Sequence, residues 1–214
     1  MNRSSASLEM RRRLRPLLVY TRDYVNWKLG RTVNPPHFVK RNLVQRYRRE
    51  YGLTVFCETG TYLAEMVRGL RKKFRELHSI ELDSKLFGAA QSMFSRDANI
   101  HLYQGDSGEL LAQVAAGICE PCLFWLDAHF SGGITARKDT ETPIEREIQA
   151  VQAHWVPGSV ILIDDARCFT GMGDYPAYGK IEALLKTVDR NFEVVVEHDV
   201  ICAYNSHFAR RNRP

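Results

Sequence analysis

From Thr54 to Tyr204, short β-rich runs alternate with helical stretches of about 10 to 15 residues, and this alternation restricts the chain more than any other feature. The strand candidates are residues 55–58, 77–82, 100–104, 122–127 and 160–164. Strands separated by helices of that length make βαβ units and a parallel sheet. The last two runs, residues 192–197 and 200–204, are separated only by His198-Asp199. A two-residue connection makes a hairpin, so the sheet is expected to end in an antiparallel pair.

Composition narrows the class. The chain has 214 residues, 44% of them hydrophobic, which suffices for one sizeable core. No apolar run reaches the roughly 18 residues of a membrane-spanning helix. Residues 11–20 carry the charge of a signal n-region, but Thr21, Arg22 and Asp23 cut the apolar part short. Five scattered cysteines, an odd number without a framework pattern, fit reduced thiols, and the expected compartment is the cytoplasm. Three regions follow: a basic helical N-terminal extension over 1–50, a folded domain over 51–206 and a basic tail over 207–214. Within the extension, residues 1–8 are polar, and two helices are broken at 30–36. The net charge of +5 gathers in residues 11–15, 40–49 and 210–213. A solvated helical face plus a basic tail accounts for it better than a nucleic-acid footprint, so nucleic acid is not the expected partner. The basic helices suit three roles: covering the acceptor site, pairing in a homo-oligomer, or touching an anionic membrane.

Three acids fall at the ends of successive strands, where an open α/β sheet binds its ligand. Glu58 ends the first, Glu81 the second, and Asp106 follows the third. Gly60, in Glu58-Thr59-Gly60-Thr61-Tyr62, lets the backbone approach a nucleoside closely. Glu58 would repel a pyrophosphate but not a cationic or neutral nucleoside, and the loop lacks the Gly-x-Gly-x-x-Gly of a dinucleotide site. A carboxylate after the second strand can accept from ribose hydroxyls, and one after the third from an exocyclic amine. Asp83 and Ser107 read as helix N-caps.

This arrangement resembles the class I S-adenosylmethionine-dependent methyltransferases over most of the chain from Thr54 to Tyr204. The resemblance implies a doubly wound, mostly parallel seven-stranded sheet of order 3-2-1-4-5-7-6. It places Glu58, Thr59, Gly60, Thr61 and Tyr62 against the methionine part of the cofactor, Glu81 on the ribose and Asp106, followed by Ser107, at the adenine. Tyr62 and Ala64 stand where further glycines are common.

Asp127, in Leu126-Asp127-Ala128-His129, and Asp164-Asp165 follow the fourth and fifth strands. Neighbouring strand ends lie within reach of one ion, and three carboxylates suit Mg²⁺ or another hard cation. These residues look like the metal-dependent O-methyltransferases of sugars and small molecules, in which the acids corresponding to Asp127, Asp164 and Asp165 bind the ion. An ion would polarise an alcohol acceptor, and Asp127, also on the cofactor side, or His129 would take its proton. Residues 131–142 are expected to form a lid. Thr142, Pro143 and Glu145 are expected to open a helix as N-cap, first residue and capping box. Residues 167–178, with Phe169, Tyr175 and Tyr178, read either as an aromatic acceptor wall or as packing. Asn34-Pro35-Pro36-His37 resembles the Asn-Pro-Pro-aromatic motif of amino-group methyltransferases but follows no strand, and reads as a helix start. Cys119 and Cys122 have no second pair for zinc. The leading expectation is an O-methyltransferase of a small-molecule or glycan hydroxyl using S-adenosyl-L-methionine and Mg²⁺. An RNA methyltransferase and a non-catalytic cofactor-binding protein are the alternatives.

Overall fold

The run that opens the βαβ pattern becomes the strand from which the sheet grows in both directions. The computed structural model describes residues 21–127 and 142–210. Strand β1 (Val55–Thr59) pairs in parallel with β2 (Glu76–Glu81) on one side and β4 (Cys122–Leu126) on the other. Beyond them lie β3 (Ile100–Gln104), against β2, and β5 (Val160–Ile163), against β4. The hairpin β6 (Glu193–Glu197) and β7 (Val200–Tyr204) inserts β7 antiparallel between β5 and β6. The order is 3-2-1-4-5-7-6, as the family resemblance implied.

Burial explains the strand compositions. β1, β4 and β5 are covered on both faces and buried throughout, so their sequences are almost continuously apolar. Alternate residues serve two cores. Val55, Cys57, Phe124, Leu126 and Ile161 pack with Leu111 of α5 (Ser107–Ala116), Ile148 of α6 (Ile144–Ala153) and Ile181 of α7 (Tyr178–Val188). Phe56, Leu123, Trp125 and Leu162 pack on the other face with Val44 and Tyr47 of α2 (His37–Tyr51), Val67 of α3 (Glu65–Leu70) and Ala90 of α4 (Ser84–Met93). At the hairpin, His198 and Asp199 both take left-handed φ, 52° and 63°, the backbone of a type I′ turn.

Two compact units divide between Lys40 and Arg41. In the smaller, residues 21–28 are helical (α1), and Tyr24 packs on Trp27 and Phe38 with ring centroids 5.8 Å apart in each case. Helix α2 starts at His37, directly after Asn34-Pro35-Pro36, as the helix-start reading expects. The larger unit holds the sheet. Its chain continues past β7 into a turn at Ser206–Phe208 and fully buries Ala209. Among the described residues no helix is long and apolar enough to cross a membrane. All five cysteines are free thiols, and Cys122 is the buried first residue of β4.

Helix caps depart from expectation at two of three places. Asp83 caps α4 as expected, accepting from the N–H groups of Lys85 and Leu86. For α5 the cap is Asp106, which accepts from Gly108 N–H, and Ser107 is already helical. For α6 the cap position is Pro143, with Ile144 N–H donating to Thr142 Oγ1 at 3.3 Å. Glu145, expected in a capping box, instead reaches Lys180 at 2.5 Å. A tertiary ion pair has taken the side chain that the local motif would use.

Candidate active site

The loop leaving β1 is built from three left-handed residues. Gly60 has φ 80°, Tyr62 φ 48° and Ala64 φ 57°, so two non-glycine residues adopt a glycine-like backbone here. Gly60 N–H and Thr61 N–H both donate to Ile80 C=O, and Tyr62 N–H donates to Glu81 Oε2 at 2.7 Å. The loop is thereby fastened to the end of β2.

Glu58 lies one residue inside β1 and is 1% exposed. Its register partner Ser79 donates to Oε1 at 2.7 Å, and Thr61 Oγ1 stands 2.5 Å from Ser79 Oγ. Burial pushes the Glu58 carboxyl well above the usual carboxylate range. The Ser79 hydroxyl opposes the shift, while Asp127 and Glu81 add to it. Glu81 accepts from Tyr62 N–H and, at 2.8 Å, from Asp83 N–H. Asp106, besides capping α5, faces Arg146 at 3.4 Å. Thus Glu58, Thr59, Gly60, Thr61, Tyr62, Glu81, Asp106 and Ser107 all lie at or beside the carboxyl ends of β1, β2 and β3.

Across β1, Asp127 directly follows β4, and its N–H donates to Thr59 Oγ1 at 3.1 Å. Asp164 follows β5 and accepts from Asp165 N–H at 2.7 Å. Asp127 and Asp164 share the lining of a cavity of about 10 Å³ with Thr142, Phe169 and Tyr175, enough room for one water or one hydroxyl group. Phe169 and Tyr175 meet edge to face at 5.7 Å, and both pack against the core, as the packing reading of that segment expects.

The shared ion expected at Asp127, Asp164 and Asp165 does not fit this arrangement. Among the described residues no three His, Cys, Asp or Glu side chains gather in a metal-holding group. Asp165 takes left-handed φ 56° and accepts from Arg167 Nη1 at 2.7 Å, and the same guanidinium also reaches Asp199. A guanidinium thus occupies the carboxylate that strand-end proximity alone assigned to the ion. His129 and residues 131–141 of the expected lid lie outside the described residues.

One acid escaped sequence reasoning. Glu147 of α6 is 1% exposed, lines the same cavity and stands among Thr59, Ser107, Asp106 and Asp127. Burial is the main cause that pushes its carboxyl from the usual 4.5 to about 7; Ser107 and Thr59 oppose the shift, and Asp127 and Asp106 reinforce it. A signal was available. Glu147 falls on the apolar stripe of α6 with Ile144, Ile148 and Val151, where a charged residue has no ordinary packing role.

The strand order, the reversed β7 and the acid-lined crevice at the carboxyl ends of the central strands define the class I methyltransferase fold. Particular solved structures carry it. An O-methyltransferase from Bacillus cereus in complex with SAH is 14% identical, with a TM-score of 0.58 over 84% of this chain and 87% of that one. DesVI from Streptomyces venezuelae is 12% identical, with a TM-score of 0.56 over 86% and 98%. The N-methyltransferase NodS from Bradyrhizobium japonicum, in complex with S-adenosyl-L-homocysteine, is 15% identical, with a TM-score of 0.54 over 88% and 97%. At these identities the likeness is one of fold. No protein-family model and no curated protein matches the chain.

Proposed function

We propose that this protein is an S-adenosylmethionine-dependent O-methyltransferase acting on a hydroxyl of a small molecule or glycan. The observation that carries the reading is the sign of the crevice. Glu81, Asp106 and Asp127 bring carboxyl groups to one end of the sheet beside the buried Glu58 and Glu147, whose carboxyls burial holds toward the neutral form, and among the described residues Arg146 pairs with Asp106. Such a site favours a cationic ligand over a pyrophosphate. A bound sulfonium would supply an electrophilic methyl group. The left-handed turn through Gly60, with Glu58 beneath it, suits the methionine portion, Glu81 the ribose, and Asp106 with Ser107 the adenine. Asp127 lies between this half and the cavity at β5, the side left for an acceptor.

The hydroxyl-sized cavity and its aromatic lining support an alcohol acceptor. A neighbour named as an O-methyltransferase points the same way, while NodS, named as an N-methyltransferase, makes amines the natural control panel. No step is assigned to a divalent ion, because Asp165 is committed to Arg167. Two measurements test the proposal. Calorimetric titration with S-adenosylhomocysteine should show one site per chain, and no heat of binding would sink the methyltransferase reading. A panel of hydroxylated sugars and diols, beside matching amines, incubated with methyl-labelled cofactor should transfer label to oxygen. Transfer confined to amines would move the acceptor to nitrogen.

A further inference from the structure

Side-chain hydrogen bonds to Ser107 and Thr59 account for part of the buried Glu147 carboxyl and leave its Oε1 unexplained. Glu147 lies on the buried face of α6 with Ile144, Ile148 and Val151. Among the described residues its Oε1 has no hydrogen-bond partner, although the atom is fully buried. A buried acceptor without a donor is costly, so natural proteins keep few of them and mostly where a ligand completes the bond. Every charged or titratable group that its electrostatics register is acidic or a thiol: Asp127 after β4, Asp106 at the start of α5 and Cys57 within β1. The nearest arginine in sequence, Arg146, faces Asp106 instead. Asp164, after β5, lines the same cavity.

Resting on the function proposed above, we infer that Glu147 is a catalytic residue of the methyl transfer: its free Oε1 accepts the hydrogen bond of the acceptor's hydroxyl and then its proton. The cavity that Glu147 lines has room for one hydroxyl group. In the step, the acceptor oxygen forms a bond to the methyl carbon as the methyl–sulfur bond breaks, and the electron pair of that bond stays on sulfur. The O–H bond breaks, and its proton passes to Glu147, so the sulfonium's positive charge is cancelled and the carboxylate becomes neutral. Thr59 links the two acids, since its Oγ1 accepts from Asp127 N–H and its hydroxyl donates to the Glu147 carboxyl. A carboxyl that burial brings near neutrality is well matched to taking a proton at physiological pH.

The full-length chain with Glu147→Gln and with Glu147→Asp tests this, using S-adenosylhomocysteine for binding and the best hydroxyl acceptor of the panel for turnover. Glu147→Gln should bind S-adenosylhomocysteine within about threefold of wild type and melt no lower. Its kcat should fall by about 10²- to 10⁴-fold with KM little changed, and the acid limb of the pH–rate profile should vanish. Glu147→Asp should recover part of kcat and keep that limb. Turnover by Glu147→Gln within threefold of wild type overturns the inference. So does a joint loss of cofactor affinity and melting temperature, which would make Glu147 a structural group. If wild type itself binds no S-adenosylhomocysteine, the proposed function falls and this inference with it.

Discussion

Glu81 does two jobs at once in the described structure. Its two oxygens hold Tyr62 N–H and Asp83 N–H, so the residue proposed to face a ribose also pins the β1 loop to the start of α4. Glutamine can accept at only one of those positions. Glu81→Gln should therefore destabilise the ligand-free protein by about 1–2 kcal/mol, the cost of leaving one buried donor facing another. Differential scanning should show melting about 2–8 °C lower, on the scale usual for a chain of this size. An unchanged melting temperature would mean that the loop does not need the carboxylate. The acid after β2 was legible from the strand pattern, but its grip on Tyr62 was not. That bond depends on left-handed turns at Tyr62 and Ala64, residues whose side chains give no hint of such φ values.

At the scale of elements, the β6–β7 turn and the end of β5 are one assembly. Asp199 accepts from Arg167 N–H at 2.9 Å, and its carboxylate joins Asp165 around the Arg167 guanidinium. Asp199→Ala should cost about 1–2 kcal/mol through the lost N–H acceptor and the exposed charge. His198→Asn, which suits the left-handed φ at that position, should instead stabilise by about 0.5 kcal/mol; urea midpoints would separate the two. The same assembly holds Asp165 away from the ion expected beside β4 and β5. EDTA should accordingly change the rate of methyl transfer by less than about twofold. A loss restored by Mg²⁺ would reinstate the ion. Strand-end acids are visible in a sequence, whereas the arginine that neutralises one of them is recruited through a turn and a hairpin.

At the scale of the molecule, the buried acids make stability depend on pH. Glu147 holds its proton up to about pH 7, against 4.5 when exposed, so between those values the folded state binds more protons than the unfolded one. Its contribution is full below the unfolded value, declines as pH rises through the folded value and is flat above it. The shift corresponds to on the order of 3 kcal/mol. Urea unfolding at pH 5 and pH 8 should therefore show Glu147→Gln gaining on wild type as the pH rises, and an equal difference at both values would count against a buried neutral acid. What the sequence determined by itself was periodic or local: the alternation of strands and helices, the closing hairpin, and Glu58, Glu81, Asp106 and Asp127 at strand ends, because a strand in a parallel sheet must expose its carboxyl end to the crevice. Only the tertiary structure decided which groups meet there. The packing of α6 against the sheet brought in Glu147, and the β6–β7 hairpin brought Asp199 to the Arg167 guanidinium that also holds Asp165. Arg167 is only two residues from Asp165, but its link to Asp199 and the contacts of Glu147 join side chains far apart in the chain, and their geometry follows from how helices and the hairpin seat on the sheet, which no local pattern encodes.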